Sequence, residues 1–421
     1  MKKPFLTLIV AIATVCGFAQ ECIDYNKKLH CHIEGEVKEP SFTRILLLPE
    51  DADPRVTAVD TILVKDGRFA HDLYVDEPAM YEMWACEDYN NGAWFPLEFF
   101  AEKGVVHATF YGYALENAIR PELRSETPLN KELLDYNARL DLFRNPLKQE
   151  KDSLEKAGKM FTAQGYVLKK LFDECEDRDS LRKLSERIEN LDKEGALYSP
   201  EYYAFNEKSK RVREDVDAYV QEYIRDNHTL VGLYLLANKI RMSRETDYET
   251  KRPYIELFER IYEPKFPSNR MTTGLRNLIN SFGVVTGTRF IDFTLPDLSG
   301  AEHTLSKEIE GKIAVIDFWA SWCGPCRRAS MSLIPLYEKY KEKGFIVVGV
   351  ASELNSEDMR LAIEKDGYPW LNLLALRDRQ NIWERYGLQG AGGTFLIDRD
   401  GTIIAIDATA DEIEQILKKR L

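Results

Sequence analysis

The chain has 421 residues, enough for two to four domains, and 44% of them are hydrophobic, which is ample for packed cores. Asp and Glu number 70 against 57 Lys and Arg, so the formal net charge is −13. This acidity, without a basic patch interleaved with aromatic residues, argues against nucleic acid as a partner.

The first residues predict a secretory signal peptide. Two lysines precede an apolar run over residues 5–15, which is short for a membrane span and has the length of a signal-peptide core. Small residues beyond it predict cleavage after Ala19, which would remove residues 1–19. A lipoprotein acylated at Cys16 is the less favoured alternative, because Val15 stands where a small residue is wanted. We therefore expect an exported protein of the periplasm or cell envelope.

Residues 24–115 predict a β-rich domain. Short apolar runs alternate with turn residues, at a spacing typical of a small antiparallel sandwich. Asp66-Gly67 predicts a tight hairpin turn between two of the strands. The expected strands cover residues 33–37, 44–48, 61–64, 69–74, 80–85, 96–100 and 105–111.

His30-Cys31-His32 in this region has the residue types of a metal site. On a strand, however, the two histidines face one way and Cys31 the other, so the three cannot easily chelate one ion together. We therefore favour a structural role and predict no metal site. Export also permits disulfides among the cysteines outside the predicted leader and the C-terminal pair, and their pairing stays open for Cys22, Cys31, Cys86 and Cys175.

Residues 125–282 predict a helical domain of four to seven helices packed as a hairpin bundle. Charged residues dominate here, and apolar residues recur at helical spacing, as in the stripe Leu181, Leu184, Ile188 and Leu191. Helix starts or breaks are expected at Pro128, Pro146, Pro200 and Pro253. The segment 283–288, rich in Gly and Thr, predicts a linker into a last domain over residues 284–421.

The last domain contains Trp322-Cys323-Gly324-Pro325-Cys326, directly after a run that predicts a buried strand, residues 313–320. Two cysteines separated by two residues at the start of a helix can close a small disulfide and reopen it. A purely structural disulfide is less favoured because so short a loop stabilises little. A zinc site would need two further ligands, and no second close pair follows. The motif predicts a redox-active dithiol that requires no cofactor.

The stretch from about residue 284 to 421 resembles the thioredoxin superfamily, most closely its exported TlpA/ResA branch. The matching segments are residues 293–300, 311–312, 317–326 and 394–401. The resemblance implies an α/β thioredoxin fold and a thiol-disulfide oxidoreductase that reduces or isomerises disulfides of exported proteins. It also implies a membrane thiol carrier as electron donor. The β-rich region resembles, in pattern, a domain that commonly precedes such domains in exported bacterial proteins.

Three residues carry the expected chemistry. Cys323 is the expected nucleophile, because the amides and dipole of a helix N-terminus favour its thiolate. Cys326, one helical turn further on and more buried, is expected to resolve the mixed disulfide. By resemblance, Asp317 is a buried acid beneath the pair, with a pKa raised by burial so that it can accept the proton of Cys326. The alternative is an aspartate in solvent at the end of its strand.

Substrate contacts are expected from Trp322, Gly324 and Pro325. The Gly-Pro pair between the cysteines is the one found in reducing thioredoxins, which favours a reductant. The family carries a cis-proline opposite the cysteines, and Gly392 stands at that place here. Backbone pairing with substrate is therefore expected at Ala391.

Two other functions remain as alternatives. A peroxiredoxin-like peroxide reductase would need a threonine three residues before a lone reactive cysteine, but Ala320 precedes Cys323 there. A non-catalytic binding or scaffold protein is the other alternative, and Gly392 is its main support. The substrate, the oligomeric state and the role of the first two domains stay open.

Overall fold

The computed structural model describes residues 28–421 apart from 51, 53, 54, 56, 58, 92–94, 113–119, 243–247 and 389–391. The predicted signal peptide, Cys16, Cys22 and Ala391 lie outside the described residues. Among the helices in these ranges, none combines the length and the hydropathy that a bilayer crossing requires.

The described part of the N-terminal region forms two four-stranded sheets, with strand orders β4-β1-β7-β8 and β3-β2-β5-β6. The strands are β1 (Leu29–Val37), β2 (Arg44–Pro49), β3 (Asp60–Leu63), β4 (Arg68–Val75), β5 (Ala79–Ala85), β6 (Leu97–Ala101), β7 (Gly104–Phe110) and β8 (Glu122–Arg124), with the short helix α1 (Cys86–Asn90) after β5. Both sheets contribute to one buried cluster, in which Ile33, Ile45, Met83 and Phe99 have no exposed surface. The alternation of apolar residues along the strands provides this shared core.

All seven predicted strands are present, but the expectation of a purely antiparallel region is wrong. β1 pairs with β7 in parallel, because the chain returns to β1 from the other sheet. The predicted turn has positive φ at Asp66 and Gly67, and Lys65 and Arg68 pair across it before β3 and β4 separate into different sheets. β8 lies beyond the predicted domain end at residue 115 and pairs with β7.

Cys31, Cys86 and Cys175 are free thiols, so no disulfide joins these three residues. Cys31 and Cys86 are buried in the N-terminal region. Burial raises the pKa of the Cys31 thiol to about 11, which keeps it protonated and unreactive at neutral pH.

The described residues of the second region are mainly helical, as predicted. The helices are α2 (Pro128–Lys156), α3 (Ala163–Asp173), α4 (Arg178–Lys193), α5 (Pro200–Asp226), α6 (Leu230–Met242), α7 (Tyr248–Leu257), α8 (Glu263–Lys265) and α9 (Arg270–Ser281), with a π-helical segment (Phe258–Tyr262) between α7 and α8. Pro128 and Pro200 begin helices, where a missing N–H costs nothing. The expected breaks at Pro146 and Pro253 are wrong, because both lie inside helices.

The helical region packs directly on the second sheet. Met80 of β5 and Phe100 of β6 are buried in the same cluster as side chains of α6 and α9. Fully buried Asn130 of α2 accepts a hydrogen bond from the Phe100 amide at 2.7 Å and donates one to the Phe100 carbonyl at 2.8 Å. These bonds satisfy an amide group that would otherwise be costly to bury.

The C-terminal region is an α/β domain built on a five-stranded sheet of order β13-β12-β11-β14-β15. Its elements are β9 (Thr294–Pro296), β10 (Glu302–Thr304), α10 (Leu305–Glu308), β11 (Ile313–Trp319), α11 (Gly324–Tyr340), β12 (Phe345–Glu353), α12 (Ser356–Asp366), β13 (Leu371–Leu376), α13 (Ile382–Arg385), β14 (Thr394–Ile397), β15 (Ile403–Ile406) and α14 (Ala410–Arg420). The central strand β11 runs parallel to β12 and antiparallel to β14, and every one of its residues is buried. A strand covered on both faces is mainly apolar, and Asp317 is the one ionisable residue of β11.

Candidate active site

The cysteine pair lies between the central strand β11 and the helix α11. Cys323 caps the N-terminus of α11 and Cys326 lies in its first turn, with their Cα atoms 5.3 Å apart and their sulfurs joined as a disulfide. Cys323 is 6% exposed and Cys326 is 9% exposed. The expectation that Cys326 is the more buried is not met, because both residues are buried to a similar degree.

Each sulfur of the pair accepts one backbone hydrogen bond. The Cys326 amide donates to Cys323 Sγ at 3.3 Å, and the Gly392 amide donates to Cys326 Sγ at 3.3 Å. Cys323 also lies at the positive end of the 17-residue helix α11. Because an amide donor stabilises a charged acceptor more than a neutral one, both contacts favour the thiolate form when the disulfide is reduced.

Gly392 faces Cys326, at the place where the family resemblance puts a proline. A Cβ added there would lie 1.8 Å from the Phe318 carbonyl oxygen and 3.3 Å from Cys326 Sγ, so no side chain fits on this backbone path. Proline also lacks the N–H that reaches the sulfur. The glycine therefore does more than replace the proline, because it adds a hydrogen-bond donor to the site. Ala391, its neighbour, lies outside the described residues, and its role in substrate pairing stays a prediction.

Asp317 is buried within β11, only 2% exposed, so the alternative of an aspartate in solvent is excluded. Burial raises the pKa of its carboxyl from 3.8 to about 7, against a smaller lowering by the Ser330 hydroxyl. Among the described residues no group hydrogen-bonds its Oδ2 atom. The Ser330 hydroxyl also lies 3.1 Å from the Cys326 backbone carbonyl, so the residue that contacts the acid also contacts the backbone of the second cysteine. A buried carboxyl of near-neutral pKa can accept and release a proton at physiological pH.

A second buried carboxylate, Glu353, holds the loop in front of the cysteines and was not predicted. Glu353 is 1% exposed at the end of β12, and it accepts hydrogen bonds from the Ser321 amide at 2.5 Å and the Ser321 hydroxyl at 2.7 Å. Burial raises the pKa of Glu353, and these two bonds oppose the rise. The parallel pairing of Trp319 with Ala351 brings the carboxyl ends of both strands together. The polar pair at positions 352–353, after an apolar strand, was the available sequence signal.

Arg327, the residue after Cys326, fixes the same loop from the other side. Its guanidinium binds the Asp366 carboxylate through Nε and Nη2 at 2.6 and 2.7 Å, and its Nη1 donates to the Ser321 carbonyl at 3.1 Å. Two-point binding of this kind fixes orientation as well as distance. Ser321 is therefore held through its amide, its hydroxyl and its carbonyl, which positions the loop that carries Cys323.

Trp322 is half-buried, and a residue from the N-terminal region covers its ring. The Arg55 guanidinium carbon lies 4.2 Å from the centre of the Trp322 ring, within cation–π range. Gly324 and Pro325 are exposed and accessible to a partner. Trp319 is fully buried and donates to Asn372 Oδ1 at 3.0 Å, which is a structural role. Nothing in the sequence pattern predicted the contact of Arg55 with Trp322.

Comparison with known proteins matches the region that carries this site. The family model described as the AhpC/TSA family matches residues 286–406, which include Asp317, both cysteines and Gly392. The thiol-disulfide oxidoreductase ResA of Geobacillus kaustophilus is 34% identical over 140 residues, covering 32% of this chain and 78% of that protein. ResA of Bacillus thuringiensis is 31% identical over 133 residues, covering 30% and 74%. The solved thioredoxin domain of a thiol-disulfide oxidoreductase from Bacteroides vulgatus is 31% identical, with a TM-score of 0.31, covering 32% of this chain and 97% of that one.

Proposed function

Since the chain belongs to the ResA-like thiol-disulfide oxidoreductases of the thioredoxin superfamily, we propose that it reduces or isomerises disulfides of exported proteins through Cys323 and Cys326. The observation that carries this proposal is the hydrogen bond from a separate backbone amide to each sulfur. An arrangement that favours two thiolates supports dithiol chemistry more directly than a structural disulfide. The pair itself carries the electrons, so no cofactor is required.

The reaction begins with the reduced pair. The Cys323 thiolate attacks one sulfur of a substrate disulfide, the substrate S–S bond breaks, and the other substrate sulfur leaves as a thiolate that takes up a proton. The Cys326 thiolate then attacks Cys323 Sγ, which breaks the mixed disulfide and releases the second substrate sulfur as a thiolate that takes up the second proton. The substrate gains two electrons and two protons, and the enzyme is left with the Cys323–Cys326 disulfide.

Asp317 is proposed to accept the proton of Cys326 before the second step. Its pKa of about 7 suits proton transfer at neutral pH, and Ser330 contacts both this carboxyl and the backbone carbonyl of Cys326. A proton acceptor is needed because the thiolate of Cys326, not its thiol, is the nucleophile. Ser321, Glu353 and Arg327 act as positioning residues, since they hold the loop without touching the sulfurs.

The substrate is proposed to contact the exposed surface around the pair. Trp322 offers an apolar ring, Gly324 and Pro325 offer exposed backbone, and Ala391 and Gly392 offer a chain segment for backbone pairing. A membrane thiol carrier is the proposed source of electrons, and export directed by the proposed signal peptide would bring the enzyme to the periplasm or cell envelope. Lipid anchoring at Cys16 is the less favoured route to the same compartment.

The remaining proposals concern the domains. The shared core of the two N-terminal sheets supports a sandwich-like domain, which the pairing of β8 extends from residues 24–115 to residue 124. The helical domain then begins with α2 and ends near residue 282, and the thioredoxin-like domain covers residues 284–421. The contacts of Met80 and Phe100 with the helices support a fixed arrangement of the first two domains.

The redox potential of the pair tests the proposed direction. The intact protein is equilibrated with glutathione buffers, with Cys323→Ser as a negative control and Cys175→Ser, which alters a free thiol outside the site, as a matched control. A potential near ~−270 mV supports a reductant, whereas ~−180 to −120 mV indicates an isomerase or oxidase. Turnover of insulin disulfides by the wild-type protein, and trapping of a mixed disulfide by Cys326→Ser, complete the test. Reduction of hydrogen peroxide without reduction of insulin would contradict the proposal in favour of the peroxidase alternative.

A further inference from the structure

One face of the N-terminal sheet gathers three of the chain's six histidines, His30, His32 and His107. Along β1 the side chains alternate, so His30 and His32 share this face while Cys31 between them is fully buried. The expected orientation of the two histidines is therefore confirmed. Cys31 therefore cannot bind the same metal ion as the two histidines. Side chains of a neighbouring strand, however, lie beside the two imidazoles.

The neighbouring strand β4 supplies a carboxylate between the two histidines. Asp72 pairs with His32 in the antiparallel register of β1 and β4. Asp72 Oδ1 lies 2.7 Å from His30 Nε2 and 2.7 Å from His32 Nδ1, so one oxygen contacts both rings. Among the described residues this is the group in which three such side chains bring ligand atoms within 4.8 Å of one another. Its three donors are two imidazole nitrogens and one carboxylate oxygen.

Further side chains surround and orient this group. The ring of Tyr74 stacks on His30 at a centroid distance of 4.9 Å. Glu34 Oε2 lies 3.6 Å from His32 Nε2, and Glu34 Oε1 lies 2.9 Å from His107 Nδ1, where β7 runs beside β1. Partners that fix the orientation of a ligating ring are typical of metal sites, because they lower the entropy lost on binding.

We propose that His30, His32 and Asp72 bind a divalent late transition-metal ion, of which Zn²⁺ and Cu²⁺ are the candidates. Two imidazoles and a carboxylate are a preferred donor set for these ions, whereas Mg²⁺ and Ca²⁺ prefer oxygen alone. In a tetrahedral zinc site with metal–ligand bonds near 2.1 Å, neighbouring ligand atoms lie about 3.4 Å apart. The two distances of 2.7 Å from Asp72 Oδ1 to the imidazole nitrogens would therefore have to increase by less than about 1 Å on binding.

The site is accessible to an ion from solvent. The side chains of His30, His32 and Asp72 are 48%, 34% and 54% exposed. The three residues lie on strands whose opposite face is packed in the core, which gives them a rigid frame. A water molecule from solvent would supply the fourth ligand of a tetrahedral ion.

The test measures Zn²⁺ and Cu²⁺ binding to the intact, untagged protein by equilibrium dialysis with elemental analysis. The Cys323–Cys326 pair is kept oxidised, so that its thiols cannot bind metal. His32→Ala and Asp72→Asn are compared with His228→Ala, which alters a half-buried histidine of the helical region, far along the chain from the proposed site. We expect one ion per chain in the wild type and in His228→Ala. His32→Ala should weaken binding by at least about 100-fold and Asp72→Asn by about 10-fold or more.

The spectrum of bound Cu²⁺ gives a readout that is independent of affinity. Electron paramagnetic resonance should show coupling to two imidazole nitrogens in the wild type and to one in His32→Ala if residual binding remains. The near-ultraviolet circular dichroism of each variant reports whether the sheet is intact. Absence of a stoichiometric ion in the wild type, or equal binding by all four proteins, would overturn the proposal and leave a hydrogen-bonded cluster only. Neither result bears on the redox site, because insulin reduction is measured separately.

Discussion

The redox site and the histidine face of the N-terminal sheet both gather reactive side chains, but they do so in different ways. Both sulfurs of the redox site lie within one turn of α11, so their separation is fixed by a single helix. The donors of the histidine face come from β1 and β4, and a slip of one residue between these strands would move Asp72 to the opposite face. The first site is therefore robust to changes in tertiary contacts, and the second depends on register.

Within the redox site, the reacting groups are close together in sequence, whereas two groups that contact them come from distant parts of the chain. The thiols, Asp317 and Ser330 lie within one strand–loop–helix segment. The Gly392 amide and the Arg55 guanidinium reach the same place from distant parts of the chain. If this segment alone determines the redox chemistry, substitutions inside it should have the largest effects on stability and activity. Substitutions at Gly392 and Arg55 should then have smaller effects.

The largest expected effect is the pH dependence that Asp317 gives to stability. Between pH about 4 and about 7 the folded protein keeps this carboxyl protonated while the unfolded chain has lost the proton, because burial raises the pKa from 3.8 to about 7. The folded state thus binds more protons, and the free energy of unfolding falls as pH rises through this window, by up to about 1.4 kcal/mol per pH unit. Asparagine does not titrate, so Asp317→Asn should lose this slope.

Denaturant unfolding of the oxidised protein at a series of pH values measures this slope. Asp378→Asn is the matched control, because Asp378 is half-buried and desolvation raises its pKa to about 6, but its carboxylate binds the amides at the start of α13. In Asp378→Asn, the free energy of unfolding should still fall as the pH rises to about 7, because Asp317 is unchanged in that variant. A wild-type slope that is unchanged in Asp317→Asn would mean that Asp317 is ionised in the folded protein.

An intermediate effect is expected from Gly392→Ala. The added methyl group would lie 1.8 Å from the Phe318 carbonyl oxygen, so the segment must move and its amide leaves Cys326 Sγ. We expect a loss of about 1–3 kcal/mol in the free energy of unfolding. Loss of the hydrogen bond to the thiolate, worth about 0.5–1.5 kcal/mol, should make the potential more negative by roughly 10–30 mV.

Potential and stability are measured together in this variant, to separate the two consequences. Gly283→Ala is the control, since its added carbon would lie 3.3 Å from the Asn280 carbonyl oxygen and far less in conflict with its surroundings. A less negative potential in Gly392→Ala would contradict the role of the amide. A variant that no longer cycles at all would show that the strand–loop–helix segment is not self-sufficient.

Residues of the redox site that are close together in sequence could be predicted, and those brought together by tertiary structure could not. The cysteines and Asp317 were recognised because a strand, a short loop and a helix are encoded by neighbouring residues. Glu353 and the Arg327–Asp366 pair were missed because tertiary pairing brings them to the loop, and the polar end of β12 was too weak a signal.

In the N-terminal region, strand positions were predicted well because alternation is local. The partner of each strand was not, since an apolar strand has the same pattern in parallel and in antiparallel pairs. This is why the parallel pairing of β1 with β7 was unexpected. It is also why Asp72 was not connected with His30 and His32, although the orientation of the two histidines was predicted correctly.

The smallest expected effect is that of Arg55→Ala, and it tests whether the N-terminal region influences the redox site. The Arg55 guanidinium lies over the Trp322 ring, so a protein substrate that contacts this face of the ring must displace it. A cation–π contact at an exposed site is worth about 0.5–1 kcal/mol, which corresponds to about a 2–5-fold change in rate. We expect Arg55→Ala to reduce insulin faster by this factor, while reduction of a small disulfide that does not cover the ring is unchanged.

Arg120→Ala, which removes a similar contact with Phe95 in the N-terminal region, should leave both rates unchanged. Slower insulin reduction by Arg55→Ala would mean that Arg55 binds substrate, and the N-terminal region would then be part of the recognition surface and not a cover over it.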